Sequence, residues 1–384
     1  MGQSERLNIL QVITPRRFAG AERVCAHLAH GLTARGHRVH VVAPPRLPAF
    51  QEYVKSLGVP FVALDISGKL NPRAARLLAG LARDLGADLL HSHLSSAGFH
   101  TVRAARRAGV PAVVHVHAMS RMLWYRGADL ILACTKGVAR HVRSSGLVEA
   151  PVQVVYNGLL ADEFERVRPA EEVRAELGLP GGAPVIGVVG SLTRRKGHVY
   201  LLRALAELVD DWPELTCLLL GAGPLRGALS RAAARLGLAD RVRFLGYRED
   251  RLDFIQVCDL VALPSIGIEG FGLCLIEAAM FGIPSVASRL PGVDEAVLDG
   301  ETGLLAPPRD AQALAGALAR LLSNEEERLA LGKRARRRVR TEFTVEAMTR
   351  GVEEAYRRVM ARRAGRGKAA GGDSADETEA DGRS

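Results

Sequence analysis

The sequence predicts an α/β protein built from two doubly wound parallel-sheet domains that face each other across a central cleft. Three observations carry this expectation. The 384 residues exceed what one ordinary core holds and suit two domains of middling size. Short aliphatic runs alternate with helical patterns, as in a parallel sheet covered on both faces. That alternation halts at a polar, Pro- and Gly-bearing stretch from Arg166 to Gly182 and restarts beyond it.

Taken in order, Leu7 to Ile13 reads as the first strand and Pro15 to Gly20 as a turn. Glu22 to Arg35 is a helix with Val24, Leu28 and Leu32 at helical spacing, ended by Gly36. Further strands are expected at Arg38 to Ala43, Phe61 to Leu64, Asp88 to His91, Val113 to His117 and Leu130 to Cys134, with a helix at Pro72 to Leu85. The second unit has strands at Pro184 to Val189, Thr216 to Leu220, Val242 to Leu245, Leu260 to Leu263 and Ser285 to Ala287. The expected domains are residues 1–165 and 166–345. A C-terminal helix, 346–363, is expected to pack back on the first domain. The tail, 364–384, is rich in Gly, Ala, Ser and acids without apolar content, and is expected to be disordered.

Apolar residues make up 48% and charged residues 24%, the balance of a globular protein. Cys25, Cys134, Cys217, Cys258 and Cys274 lie far apart with no C-x-x-C pair, which excludes a disulfide framework and a zinc ribbon and points to a reducing compartment. No run of apolar residues is long enough to span a bilayer, and Met1 to Asn8 does not read as a signal peptide. A cytoplasmic protein is expected. The net charge of +10 is uneven: residues 1–165 hold 20 Lys and Arg against 11 Asp and Glu, residues 166–384 hold 32 against 31. A basic first half fits an anionic partner, whether nucleic acid, an anionic membrane surface or a phosphorylated acceptor, and equally fits solvated faces. Aromatics are only 5% and do not alternate with the cations, which argues against nucleic acid.

The densest chemistry lies between Leu263 and Ala287. A strand ends at Pro264 and a helix begins near Leu273; between them Gly270 and Gly272 let the backbone approach a ligand. The opening N–H groups of that helix suit a phosphate. Glu277 lies about one turn inside it, where a carboxylate can take two hydrogen bonds from vicinal hydroxyls or merely complement the dipole. Glu269 stands at the mouth of the same site. A second loop, Gly190-Ser191-Leu192-Thr193-Arg194-Arg195-Lys196-Gly197, carries cations that suit a diphosphate leaving group. A third, Pro15 to Glu22, offers Gly20 and backbone N–H groups. Four histidines, His91, His93, His115 and His117, end two neighbouring strands on the ligand side of a sheet. They raise a metal site, but no carboxylate or cysteine nearby has ligand spacing.

The Glu269-Gly270-Phe271-Gly272 run, followed by Glu277-Ala278 and Gly282-Ile283-Pro284, resembles the nucleotide-sugar signature of retaining glycosyltransferases of family 4, which have the two-domain GT-B fold. The resemblance covers nearly the whole chain. Val155-Tyr156-Asn157-Gly158 with Phe164, Leu220 to Pro224, Phe244 to Tyr247 and the turn from Gly300 to Leu305 add to it. It implies an acceptor-binding first domain and a nucleotide-sugar-binding second domain. It gives Glu277 the ribose hydroxyls, Glu269 and His117 the transferred sugar, and the Gly270, Phe271, Gly272 and Leu273 backbone the sugar and pyrophosphate. Lys196 matches the family's phosphate lysine. Ser191 stands where the family has Arg, so Arg194 or Arg195 is expected to supply that cation. Gly20 is kept from a family Gly-Gly pair, Ala19 replacing the other glycine. Tyr247 and Arg248 are placed to meet the base.

The reaction so implied moves a hexose or related sugar from a nucleotide-diphosphate sugar to an acceptor hydroxyl with retention. It fits glycolipid, cell-envelope polysaccharide or glycoconjugate synthesis, with a sugar or lipid-linked acceptor. No Asp-x-Asp triplet is present, so no metal and no cofactor beyond the donor is expected. Rival readings are a nucleotide-sugar epimerase that hydrolyses its donor, a sugar phosphorylase, and a nucleotide-sugar- or nucleic-acid-binding protein without turnover. Gly221-x-Gly223 lacks the spacing of a dehydrogenase. Acceptor contacts are expected in Gly68 to Arg73 and Ser120 to Arg126. Met119, Met122, Leu123, Trp124 and Tyr125, flanked by Arg121 and Arg126, suit either peripheral docking on an anionic membrane or a buried helix.

Overall fold

The computed structural model describes residues 6–69 and 71–372. Thirteen strands form two all-parallel sheets. The first sheet contains β1 (Asn8–Ile13), β2 (Arg38–Ala43), β3 (Phe61–Ala63), β4 (Leu89–His93), β5 (Ala112–Val116), β6 (Leu130–Ala133) and β7 (Val152–Val154), in the order β3-β2-β1-β4-β5-β6-β7. The second contains β8 (Val185–Val189), β9 (Thr216–Leu220), β10 (Val242–Gly246), β11 (Leu260–Leu263), β12 (Ser285–Ser288) and β13 (Gly303–Ala306), in the order β10-β9-β8-β11-β12-β13. Their central strands are near-continuous runs of buried residues, because helices cover both faces. The expected fold class is the one found.

Each sheet reverses its strand order once, between β1 and β4 and between β8 and β11. Loops leaving those strands part to opposite sides, so a crevice opens at the carboxyl ends. The two crevices face each other. One apolar cluster crosses the boundary, holding Val114 and Ile131 of the first sheet together with Phe271, Ile276 and Val293 from the other side.

The last helix, Val345–Gly372, lies on the first sheet: Val352, Ala355 and Tyr356 are fully buried in the cluster containing Ile9, Leu28 and Val113. Gly31 leaves room there for Val345 and Thr349. Glu353 ties the helix down, accepting from Arg35 at 2.6 and 2.8 Å and from His37 Nε2 at 3.0 Å. Residues 364–372, expected within a disordered tail, continue this helix; 373–384 lie outside the described residues. Two strands escaped the sequence reading. β7 is a three-residue edge after Pro151, and β13 (Gly-Leu-Leu-Ala) lacks β-branched residues and was expected as a turn; its pairing with β12 makes it a strand.

Candidate active site

The cleft between the sheets has a volume of about 1070 Å³ and brings most of the singled-out residues together, though not Arg194, His91, His93 or His115. Gly20 and His117 line it from the first domain. Ser191, Arg195, Lys196, Tyr247, Arg248, Glu269, Gly270, Phe271, Gly272, Leu273 and Glu277 line it from the second. Arg194 is not among the lining residues, so Arg195 is the arginine that this loop turns into the cleft.

Backbone geometry explains how the loops reach it. β8 ends at Val189 and the chain turns through Arg194–Lys196 to Gly197, whose φ of +66° is left-handed. A Cβ there would collide with the Pro264 carbonyl, so glycine lets the cationic loop lie on the end of β11. β11 in turn delivers Ser265 and Glu269, and Gly272 (φ +84°) opens the helix Leu273–Met280. In the first domain the helix Gly20–Ala34 also starts at the cleft, and Glu22 folds back to accept from the Ala19 N–H at 3.1 Å. Two helix N-termini therefore meet, Gly20 lying so close to Leu273 that a Cβ would be 2.7 Å from its Cδ1. Unpaired N–H groups and positive dipole ends converge where a diphosphate would sit.

Among the acids lining the cleft, Glu269 has the most partners. Its Oε1 accepts from Ser265 Oγ at 2.7 Å, Lys196 Nζ at 2.8 Å and Arg195 Nη1 at 2.9 Å. Oε2 takes none of these and is the atom left for a ligand. Burial pushes this carboxyl up, but Lys196 and Arg195 outweigh it and hold it below the usual range. Glu277, 4% exposed at its side chain, receives Arg251, with Nε 3.1 Å and 3.2 Å from its two oxygens. Sequence reasoning missed Arg251: it follows Asp250 in a polar turn with no motif around it, and only the fold sets it against Glu277.

Two expectations, the base contacts of Arg248 and Tyr247, need correction in detail. Arg248 lines the cleft but its guanidinium is spent on Asp250, at 2.6 and 2.8 Å, and lies over Phe254. Tyr247 is 49% exposed and donates to the Phe18 carbonyl at 2.8 Å, bridging the domains. Phe271 turns its ring away, between Tyr156 and Phe343, so only its backbone faces the cleft. The apolar segment at 119–125 is also divided. Met122 and Tyr125 are 2% exposed, because the short helix Met122–Tyr125 packs inward; Leu123 is exposed, and Trp124 is half-buried under Lys69. That leaves three side chains, Met119, Leu123 and Trp124, and not five, for any membrane contact.

The histidines form a stack. His93 and His117 rings are 5.1 Å apart at 13°, His115 and His117 4.3 Å apart at 24°, and His91 and His115 5.6 Å apart at 17°. His93 Nδ1 is 2.8 Å from His117 Nε2, and His91 Nδ1 is 2.6 Å from Tyr356 Oη. Burial pushes His91, His93 and His115 far down, and His117 down to about 4, so the stack is neutral near pH 7. Nitrogens of His91, His93 and His115 lie within 4.8 Å of one another. A metal bonds along the lone pair in the ring plane, however, and near-parallel rings set those lone pairs side by side instead of aiming them at one point. With no carboxylate or thiolate in that group, a buried dication would also lack a counter-charge.

Comparison with known proteins agrees with this geometry. Residues 169–338 match the family "Glycosyl transferases group 1", and residues 18–162 match "Glycosyltransferase Family 4". The chain is 33% identical over 284 residues to a D-inositol 3-phosphate glycosyltransferase of Corynebacterium urealyticum, covering 65% of this chain and 67% of that one. Matches to four such enzymes span 52% to 69% of those relatives' lengths. It is 26% identical over 355 residues to the lipopolysaccharide core biosynthesis glycosyltransferase LpsE of Rhizobium meliloti, covering 89% of this chain and 96% of that one. The crystal structure of Anabaena HepE in complex with UDP superposes with a TM-score of 0.79 at 25% identity, covering 91% of this chain and 99% of that one. Two facing doubly wound sheets, a paired Glu269 and Glu277 at the cleft and these matches to both halves place the chain in glycosyltransferase family 4, enzymes of the GT-B fold that move a sugar from a nucleotide sugar.

Proposed function

We propose that the protein transfers a hexose from a UDP-sugar to a hydroxyl of an anionic acceptor, with retention at the anomeric carbon. The observation that carries this is the sharing of Glu269 Oε1 by Lys196, Arg195 and Ser265. It fixes two cations beside two helix N-termini while leaving Glu269 Oε2 for sugar hydroxyls. Glu277 takes the ribose hydroxyls on the lone pairs that Arg251 leaves. As the anomeric C–O bond breaks, charge grows on the leaving phosphate oxygen, where Lys196, Arg195 and the helix N–H groups await it. The first domain lines the cleft with one carboxylate, Glu22, and that is folded onto its own helix start. A front-face displacement fits this: the acceptor oxygen bonds to the anomeric carbon as its proton passes to the departing phosphate oxygen. The protein's part is then position and charge. UDP is chosen because HepE, similar over nearly its whole length, is described with UDP bound.

The anionic acceptor rests on Arg16, Lys69 and Arg121. Burial lowers the Lys69 ammonium, and repulsion from Arg121 and Arg16 lowers it further. Arg16 and Lys69 line the first-domain side of the cleft. Three cations gathered without an ion-pair partner among the described residues suit a phosphate on the acceptor, as in the substrate named for the inositol-phosphate relatives. The experiment is a thermal-shift screen of nucleoside diphosphates, followed by transfer from the stabilising base's sugars to phosphorylated and unphosphorylated polyols, with the product anomer read by NMR. Stabilisation by a base other than uracil, an inverted anomer, or equal transfer to unphosphorylated polyols each overturns its part of the proposal. Nucleotide release that needs no acceptor would favour an epimerase-type hydrolysis instead.

A further inference from the structure

His117 has two ring nitrogens, and which one carries the proton decides whether it can donate a hydrogen bond at the sugar site. The answer lies three residues deep. Gln11, on β1, is fully buried beside His93, and its carboxamide sits between a helix and that ring. One end of the amide lies 3.1 Å from the Cys25 carbonyl oxygen and 3.1 Å from His93 Nε2, while the other lies 3.3 Å from the Ala29 N–H. A carbonyl oxygen can only accept and an N–H can only donate, so the end facing Cys25 is the NH₂ and the end facing Ala29 is the oxygen. The same NH₂ donates to His93 Nε2, which must then be bare. A neutral His93 carries its proton on Nδ1 and donates it to His117 Nε2, 2.8 Å away. His117 Nε2 is therefore an acceptor, and the proton of a neutral His117 is on Nδ1.

We infer that Gln11 and His93 are positioning residues that lock His117 as the Nδ1–H tautomer, so that the cleft-lining Asn157 meets a hydrogen-bond donor and not an acceptor. Nδ1 and the Oδ1 of Asn157, a cleft-lining neighbour, are both buried without another partner, and Asn157 favours the protonated His117 ring, so the partner the structure offers an Nδ1–H is Asn157. The polarity runs from the backbone of the helix Gly20–Ala34 through Gln11 and His93 to the substrate side, with every step set by which atom can donate. Burial keeps both imidazoles neutral, so the lock does not dissolve at physiological pH. The catalytic part rests on the proposed contact between His117 and the transferred sugar; the tautomer itself does not.

The test separates the two. Full-length protein labelled with ¹⁵N at histidine is examined by two-bond ¹H–¹⁵N correlation, which distinguishes Nδ1–H from Nε2–H rings. The expected result is Nδ1–H for both His93 and His117, and Nε2–H on His117 overturns the inference. Gln11→Met keeps the bulk and removes the polarity, and Gln11→Glu reverses it; both should move His117 away from pure Nδ1–H, with folding confirmed by circular dichroism. Loss of one neutral donor should lower kcat roughly threefold to tenfold with little change in donor KM. An unmoved tautomer in folded Gln11→Met overturns the relay. A moved tautomer with unchanged kcat upholds the relay and refutes instead the contact between His117 and the sugar.

Discussion

Replacing Lys196 with alanine separates charge stabilisation of the leaving group from simple integrity of the site. Lys196 Nζ is 2.8 Å from Glu269 Oε1, and its side chain is 14% exposed. After truncation, Arg195 at 2.9 Å and Ser265 at 2.7 Å still hold that oxygen, so Glu269 remains paired and oriented. The cost to folding should stay below about 2 kcal/mol. The donor loses one charged hydrogen bond to its departing phosphate, worth about 1.5–3 kcal/mol. If that bond tightens only in the transition state, kcat falls roughly 10- to 150-fold while UDP affinity falls less. The assay is nucleoside diphosphate release at saturating donor and acceptor, with UDP binding by calorimetry and a melting curve alongside. A kcat within about twofold of the unaltered protein, or a loss confined to KM, would refute the assignment.

Three further substitutions probe the frame around this site. Burial pushes Glu163's carboxyl up, but His27, Tyr53 and Arg23 more than reverse this and bring it from 4.5 to about 2. Its stabilisation is thus fully present above pH 4.5, is lost as pH falls towards 2, and is on the order of 3 kcal/mol. Urea midpoints at pH 7 and pH 3 should differ less in Glu163→Gln than in the unaltered chain; equal differences would dismiss the linkage. Glu353→Ala strands the buried His37 Nε2–H, costing about 1–3 kcal/mol, while Arg35, 41% exposed, returns to water at little cost. The urea midpoint should fall with m unchanged, and no fall would show that the last helix is held by its apolar face alone. Gly270→Ala places a Cβ on the His117 carbonyl oxygen, and the domains must part to admit it. Turnover should drop at least roughly tenfold while the melting temperature moves only a few degrees, about what 1–2 kcal/mol produces; normal turnover would mean that this approach is not needed.

How much of this could be read from the sequence depended on whether a residue's role is local. The central strands announce themselves as aliphatic runs, and Gly197, Gly270, Gly272, Glu269, Glu277 and Lys196 sit in loops whose composition already speaks of close backbone approach and anions. The short edge β7 and the Gly-led β13 carry no comparable pattern, since pairing with neighbours makes them strands. Arg251 is the plainest omission: its neighbour Glu277 is 26 residues away, and nothing in the turn Arg248 to Arg251 distinguishes one arginine from the other. Arg248, expected at the base, pairs with Asp250 instead because a carboxylate two residues away is always within reach. Gln11, inside a strand, gave no signal at all; its importance comes from the rings beside it.

The relation between the domains rests on backbone contacts that only small residues allow. Beside the cleft, a Cβ on Gly137 would meet Pro291 and Gly292, one on Gly292 would meet the Gly270 carbonyl, and one on Gly270 would meet His117. Three glycines thus form a seam along which main chains of the two domains touch. The seam is also polar in one sense. Glu295 of the second domain accepts from the Lys136 and Gly137 N–H groups at 2.7 Å each, satisfying the start of a first-domain helix, and Thr135 Oγ1 donates to the Gly270 carbonyl at 3.1 Å. A carboxylate from one domain completing a helix of the other is directional in a way that apolar contact is not, so the seam fixes orientation as well as distance. His117 and the Gly270 loop are joined by this seam, and beyond it the domains also meet where Gly20 abuts Leu273 and where Tyr247 donates to the Phe18 carbonyl. The same packing holds the helix starts at Gly20 and Leu273 against each other, so His117, the Gly270 loop and both helix starts keep one register across the domain boundary.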